Sequence, residues 1–179
     1  MFCRALAIAA CMALLFGTLA AQEIPAPPTP GPEHKQLQAL EGTWDAKMKM
    51  EGAPAPIVAV ATYKSECGGL WLASEFKSDD PAFKFQGKGL DGYDTNKKKF
   101  VGIWVDSMST GMMTMEGTHD EKTKTTTMFG QGYDHGKLNK YKNVTKMPDA
   151  DHQTFQMFMI GDDGKESLAF TIEYTRRNP

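Results

Sequence analysis

The sequence is short of cysteine and of any charge excess, and each shortage excludes a class of protein. Its 179 residues include three cysteines, too few for the disulfide framework of a small secreted scaffold. Twenty basic side chains against 22 acidic ones leave a net charge of −2, which provides no basic footprint for a nucleic-acid backbone. We therefore expect no nucleic-acid partner.

Long apolar runs are missing beyond the N-terminus, and disorder-promoting composition is missing as well. The hydrophobic fraction of 41% and the charged fraction of 23% exclude both a multi-span membrane protein and an intrinsically disordered chain. The length suits one domain with one core.

The one long apolar run has the layout of a processing signal. Arg4 precedes the run from Ala5 to Phe16, and small residues follow it, as in a secretory signal peptide. The run is shorter than the roughly 20 residues of a membrane-spanning helix. We expect residues 1–21 to be a signal peptide, with no membrane span and an exported mature protein, periplasmic or secreted. Removal of that peptide leaves Cys67 without an intramolecular partner.

Residues 22–32 contain five prolines, which favour an extended linker without an apolar face. From Glu33 to Glu41 the spacing of apolar residues predicts a short helix of about two turns, with Pro32 suited to its first turn and Gly42 following its end.

After this helix the apolar period changes to two. Trp44, Ala46, Met48 and Met50 alternate with polar residues, as in a half-buried strand. The ten strands predicted in this way span residues 43–50, 57–65, 70–77, 83–93, 99–106, 112–118, 124–132, 137–145, 153–160 and 167–177.

The connections between these strands are too short for crossover helices, so neighbouring strands should pair antiparallel in chain order. The fold class expected for residues 33–177 is all-β, a ten-stranded antiparallel up-and-down barrel, since closure removes exposed sheet edges. A two-sheet sandwich is the alternative.

Aromatic and thioether side chains dominate the expected interior. The apolar set predicted to face inward is Trp44, Met48, Met50, Phe83, Phe85, Tyr93, Phe100, Trp104, Phe155, Met157, Met159, Phe170, Ile172 and Tyr174. Glycines at 87, 89 and 102 should leave room on the same face. The polar residues expected to share it are Ser74, Asp91, Asp106, Glu116, Gln131 and Arg176.

Polar groups converging in an apolar cavity are typical of a small-molecule site. We therefore predict that a small hydrophobic or amphipathic molecule binds in the lumen. The predicted ligand-binding residues are Trp44, Tyr93, Trp104, Asp106, Glu116 and Arg176. Pairing of these polar groups with one another at the barrel mouths is the alternative.

Two short motifs extend the argument to known families. Gly42-Thr43-Trp44 and Thr175-Arg176 resemble the calycin signature of lipocalins and fatty-acid-binding proteins, in which the Arg packs over the Trp at one barrel end. Further segments, including 87–94 and 104–108, are similar to the bacterial family catalogued as domain of unknown function 1579. The resemblance covers about residues 32–177. It implies an exported, calycin-like barrel without an established activity, closer in outline to the ten-stranded nitrobindin type than to lipocalins or fatty-acid-binding proteins.

No cofactor is predicted. Haem requires an axial ligand aimed into the lumen, and the histidines are placed in the helix, in turns or at a strand edge; they are His34, His119, His135 and His152. The pairs Met48/Met50, Met113/Met115 and Met157/Met159 provide soft ligands of the kind that selects Cu(I), although no His or Cys alternates with them. A methionine-based metal carrier is therefore one alternative function.

Catalysis has little support in the sequence. Asp106 and Glu116, with Asp91 nearby, could divide acid and base roles, but no nucleophile motif appears. The glycine pattern of residues 87–92 matches a dinucleotide fingerprint and lacks the following helix. We predict no catalytic residues. A barrel filled with its own side chains, acting as a structural or interaction module of the envelope, is the second alternative.

Overall fold

The computed structural model describes residues 26–81, 83–134 and 136–177. The predicted signal peptide, the first residues of the linker and His135 lie outside the described residues.

Within the described residues, one short helix precedes ten strands, as the apolar periods predict. The elements are α1 (Pro32–Gln38), β1 (Gly42–Met50), β2 (Ile57–Glu66), β3 (Trp71–Asp80), β4 (Phe83–Asp94), β5 (Lys99–Asp106), β6 (Met113–Asp120), β7 (Thr125–Asp134), β8 (Lys137–Lys146), β9 (His152–Ile160) and β10 (Glu166–Arg176). A single 3₁₀ turn, Cys67–Gly69, joins β2 to β3.

The strands pair antiparallel in chain order, and β1 pairs with β10, so the sheet is a closed barrel. The predicted fold class is confirmed, and the sandwich alternative is wrong. Closure pairs every strand on both sides, which removes the exposed edges of an open sheet.

One end of the barrel is closed by a tryptophan beneath an arginine. Trp44 is fully buried and pairs across the sheet with Arg176, whose guanidinium carbon lies 4.1 Å from the indole centroid. A planar cation over an indole face is favourable. The contact implied by the calycin resemblance is therefore present.

The same arginine fastens the segment after α1 over this end. Arg176 Nη2 donates to the Ala39 carbonyl over 2.7 Å, and its Nε donates to the Ala150 carbonyl over 2.8 Å. Its Nη1 donates to the carbonyl of Glu41. The Trp44 Nε1 donates to the Leu40 carbonyl over 2.9 Å. The bonds to Ala39, Leu40 and Glu41 satisfy carbonyls just after α1, where intrahelical donors run out.

The tightly packed core lies beside this closed end. Its buried members come from β1, β2, β3 and β10, and are Trp44, Ala46, Met48, Ala59, Ala61, Phe76, Ile172 and Tyr174. Three of these members are alanines, which add little side-chain volume to this side of the interior. The remaining interior is left for the site.

In the described ranges, no helix is long and apolar enough to cross a bilayer.

Candidate ligand cavity

The barrel interior contains a cavity of about 350 Å³. Residues of α1 and of the segment after it border the cavity at the closed end, and the strands supply mainly aromatic and thioether groups. Its apolar lining includes Leu37, Leu40, Met48, Met50, Phe76, Phe83, Phe85, Phe100, Trp104, Met113, Met115, Met128, Met147, Phe155, Met157, Phe170 and Ile172. This volume and lining fall within the usual range for small-molecule sites, roughly 300 to 1,000 Å³.

The wall beside Trp104 is shaped by two glycines. A Cβ at Gly87 would lie 2.1 Å from the indole Cζ2, and one at Gly89 would lie 3.2 Å from its Cε3. The indole therefore lies against β4 where side chains are missing. The room expected at these glycines exists and is occupied by Trp104.

Asp91 lines the cavity from β4. It pairs with Gly102 of β5, and a Cβ at that glycine would lie 2.2 Å from the Asp91 Oδ1. No described residue forms a hydrogen bond or ion pair with this carboxyl group. Burial raises the pKa of Asp91 to about 7, because the low-dielectric wall disfavours the charged form.

Side chains from β2, β9 and β10 form a polar cluster near Asp91. Tyr63 of β2 hydrogen bonds to Gln153 of β9 and Tyr174 of β10, and burial raises the pKa of Tyr63 to about 12. Burial also raises the pKa of Tyr174 well above its ordinary value. Gln153 is 5% exposed, and among the described residues its Oε1 has no hydrogen-bond partner.

Asn143 supplies a second buried amide, from β8. It is 7% exposed, and its Nδ2 donates to the Met115 Sδ over 2.8 Å. The methionine reaches it across Gly130, where a Cβ would lie 2.6 Å from the Met115 Cγ. The Asn143 Oδ1 has no partner within the described part of the chain.

Asp106 lies at the other end of the cavity, where β5 ends. Its carboxylate accepts hydrogen bonds from the Trp104 Nε1 over 2.9 Å and from the backbone nitrogens of Met108 and Ser109 over 2.8 and 3.1 Å. These bonds fix both the indole and the turn after β5. Asp106 therefore orients the wall at the cavity mouth.

The expectation that Glu116 faces the interior is wrong. Its carboxylate pairs on the outer surface with Lys97 at 3.1 Å and with Lys99. Hydrogen bonds from these lysines lower the pKa of Glu116. Gln131 also lies outside, because it pairs with Thr114, the outward neighbour of Met115.

Three other predicted ligand-binding residues build the closed end. Trp44 is fully buried under Arg176, whose donors are directed to carbonyls of the cap. The Tyr93 ring packs edge-on against His34 and Phe100, with centroid distances of 6.0 and 5.2 Å. None of these three is part of the cavity lining, which of the predicted set includes Trp104 and Asp106.

The placement expected for one histidine is also wrong. His119 belongs to β6 and lines the cavity, with its Nδ1 2.9 Å from the Thr126 Oγ1. His34 lies in α1, where its Nδ1 accepts a hydrogen bond from the backbone nitrogen of Gly31 over 3.0 Å. His152 stands at the start of β9 with its Nδ1 2.9 Å from the Asp149 Oδ1.

Five members of the predicted methionine pairs line the cavity, while Met159 is 41% exposed. Within the described ranges, no group of three or more His, Cys, Asp or Glu side chains is arranged to hold a metal ion.

A second, open groove of about 730 Å³ crosses the outside of the barrel. Its apolar lining includes Trp71, Leu90, Val101, Ile103 and Phe129. Sequence alternation does not predict this groove, because it shows which side chains face outward but not whether those on neighbouring strands form a groove.

Comparison with known proteins agrees with the architecture. Residues 29–176 match the family described as Protein of unknown function (DUF1579), and no curated protein matches the chain. The structure of Rv2717c from M. tuberculosis is similar, with a TM-score of 0.57 and 9% identity over 83% of this chain and 99% of that one. The S-type phycobiliprotein lyase CPES from Guillardia theta has a TM-score of 0.52 and 12% identity over 82% and 93% of the two chains. At identities this low, these two similarities show a shared fold alone.

Proposed function

The chain belongs to the family described as Protein of unknown function (DUF1579), and we propose that it binds a small, largely apolar molecule inside the barrel. The observation that carries this proposal is the cavity of about 350 Å³, lined mainly by aromatic and thioether groups. Filling such a cavity removes apolar surface from water, which is the main favourable contribution to ligand binding.

The lining can accommodate ligands of different shapes. Methionine side chains are unbranched and polarisable, so they adjust to guests of different outline. Trp104 would form one wall, and Asp106 would hold that wall in place through the indole nitrogen. Trp44, Tyr93 and Arg176 would act indirectly, by keeping the far end closed.

The expected affinity is modest. Burying an eight-carbon chain contributes roughly 6 kcal/mol at about 0.8 kcal/mol per methylene, before the cost of immobilising the ligand. That figure corresponds to a dissociation constant on the order of 10 to 100 µM, which is the tightest binding expected.

The test is a titration with 1-octanol, followed by calorimetry and by tryptophan emission. Thr145 lines the cavity on β8, whereas its neighbour Val144 faces outward by strand alternation. Because the two side chains have nearly the same volume, Thr145→Phe and Val144→Phe form a matched pair. We expect saturable one-to-one binding, weakened at least tenfold by Thr145→Phe and unchanged by Val144→Phe. Absence of saturable binding, or equal effects of both variants, would overturn the proposal.

A metal carrier is the rival function, favoured by the thioethers of Met48, Met50, Met113 and Met115 along one cavity. Adding Cu(I) under reducing conditions and recording native mass spectra separates the two. A retained copper ion that is lost in Met113→Leu with Met115→Leu would support the rival.

The cellular location is a further part of the proposal. The signal-like composition of residues 1–21 supports export of the mature protein. Sequencing the N-terminus of protein recovered from its own host tests this, since an N-terminus at Met1 would contradict it.

A further inference from the structure

We propose that the cavity recognises the ammonium group of an alkyl amine, with Asp91 as the counter-charge and buried amide oxygens as additional acceptors. This inference rests on the proposed function and names the ligand class for the same site. It starts from three acceptor groups that no described residue satisfies.

Two of those acceptors are amide oxygens in nearly dry surroundings. The Gln153 Oε1 and the Asn143 Oδ1 are buried and unpaired within the described ranges. The orientation of the Asn143 amide follows from its partner, because a thioether sulfur accepts a hydrogen bond and cannot donate one. A buried polar atom without a partner costs roughly 1 to 3 kcal/mol, so a ligand with N–H donors would recover this loss.

The third acceptor is the carboxyl group of Asp91. Its position over Gly102 directs it into the lumen, and no donor from the described chain reaches it. Burial raises the pKa of this carboxyl to about 7, which is the behaviour of a carboxylate that lacks a compensating cation. Fixing an ammonium group beside it would supply that cation.

A row of cross-strand neighbours runs from Asp91 toward the Asn143 amide. Cross-strand pairs run from Asp91 to Gly102, from Gly102 to Met115, and from Met115 to Gly130. The glycines alternate with the larger side chains, so the Asp91 carboxyl lies over one gap and the Met115 side chain crosses the next. The result is an arc of acceptors and sulfur along one wall, flanked by aromatic groups.

The basic side chains near the cavity already contact groups of the protein. His119, which lines the cavity, has its Nδ1 2.9 Å from the Thr126 Oγ1 and its Nε2 3.8 Å from the Glu121 carboxylate. Arg176 donates to the carbonyls of the cap. Lys124, which borders the cavity, directs its Nζ to the Pro148 carbonyl over 2.9 Å. A ligand carboxylate would therefore face Asp91 without a balancing cation, whereas an ammonium group would form a buried ion pair.

The experiment compares four ligands that share one alkyl chain, at about pH 8, where octylamine is protonated and most Asp91 is ionised. The ligands are octylamine, 1-octanol, octanoate and octyltrimethylammonium. We expect octylamine to bind at least tenfold more tightly than 1-octanol and octanoate. Octyltrimethylammonium, which has the charge without N–H donors, should bind more weakly than octylamine.

Asp91→Asn removes the charge with little change in shape, and Asp163→Asn makes the same change in an exposed turn. We expect Asp91→Asn to lower the ratio of octylamine affinity to 1-octanol affinity at least tenfold, while Asp163→Asn changes neither affinity. If Asp91→Asn does not fold, the four-ligand series on the unaltered protein still decides.

The outcomes separate the two proposals. If 1-octanol binds and octylamine shows no advantage, the ammonium site is wrong and the apolar cavity stands. If none of the four ligands binds, the proposed function itself is wrong. Equal binding of octylamine by the unaltered protein and by Asp91→Asn would also overturn the assignment of Asp91.

Discussion

The Asp91 carboxyl occupies the space that a side chain on Gly102 would need. The two residues pair across β4 and β5, and a Cβ at Gly102 would stand 2.2 Å from the Asp91 Oδ1. The glycine thus determines where the acid points, and a single methyl group should redirect it.

Gly102→Ala should therefore reduce octylamine binding while costing little stability. The displaced group is the end of one side chain, so we expect a loss of about 1 kcal/mol or less in the free energy of unfolding. Octylamine affinity should fall at least fivefold. Denaturant titration and calorimetry measure the two effects.

The comparison is Gly117→Ala on β6. A Cβ there would lie 1.9 Å from the Thr127 carbonyl oxygen, and backbone cannot move aside as a side chain can. We expect this variant to lose more stability, about 2 kcal/mol or above. Similar losses for both variants would contradict the described packing of Gly102.

The pH dependence of stability provides a second prediction. The pKa of Asp91 rises from 3.8 in the unfolded chain to about 7 in the folded protein, so the folded state binds this proton more tightly. This contribution to stability is fully present below pH 3.8 and is lost as pH rises through about 7. Asp91→Asn should thus gain stability relative to the unaltered protein across this range, by at most about 4 kcal/mol.

Other titratable groups face the same cavity and must be separated from Asp91. They are Tyr63, Tyr174, His119, Asp106 and Lys124. Burial keeps the two tyrosines neutral throughout this range. Repeating the comparison in a His119→Gln background removes the histidine. A difference between Asp and Asn at position 91 that stays flat from pH 4 to pH 8 would show that the carboxyl is not desolvated.

Arg176→Met should destabilise the barrel by about 2 kcal/mol or more, because it removes the contact with Trp44 and the charged donors to three carbonyls. The neighbouring Arg177 pairs with the exposed Asp45 at 2.6 Å. Arg177→Met should have a much smaller effect, as exposed ion pairs contribute little. Chemical denaturation of both variants tests this, and equal losses would remove the special role of Arg176.

Glu116→Gln should leave octylamine affinity within twofold, since its carboxylate lies outside among lysines. Calorimetry checks the result. A loss comparable to that of Asp91→Asn would mean that the interior of β6 has been assigned to the wrong face.

The sequence was sufficient to predict the barrel because alternation on most strands is marked by bulky apolar residues on one face. Strand β6 lacks such a marker. Met112 and Met113 are adjacent, and Gly117 stands where a large inward side chain would have fixed the register. Because the sequence does not determine which β6 residues face inward, the predictions that Glu116 lies inside and that His119 lies in a turn are wrong.

The sequence predicts that polar side chains face the cavity, but it does not predict which of them lack hydrogen-bond partners. Period-two alternation places Asp91 inside, but it carries no information on whether a partner is within reach. The roles of Tyr63, Asn143 and Gln153 were missed because they depend on contacts among strands that are distant in the sequence. Unpaired acceptors become visible only when every neighbour is known.

A crystal structure of the protein with octylamine tests the proposed site most directly. The predicted result is an alkyl chain along the methionine and aromatic walls, with its nitrogen within hydrogen-bond distance of the Asp91 carboxylate. An amine held instead in the outer groove beside Phe129, or an interior in which side chains close the cavity, would contradict it.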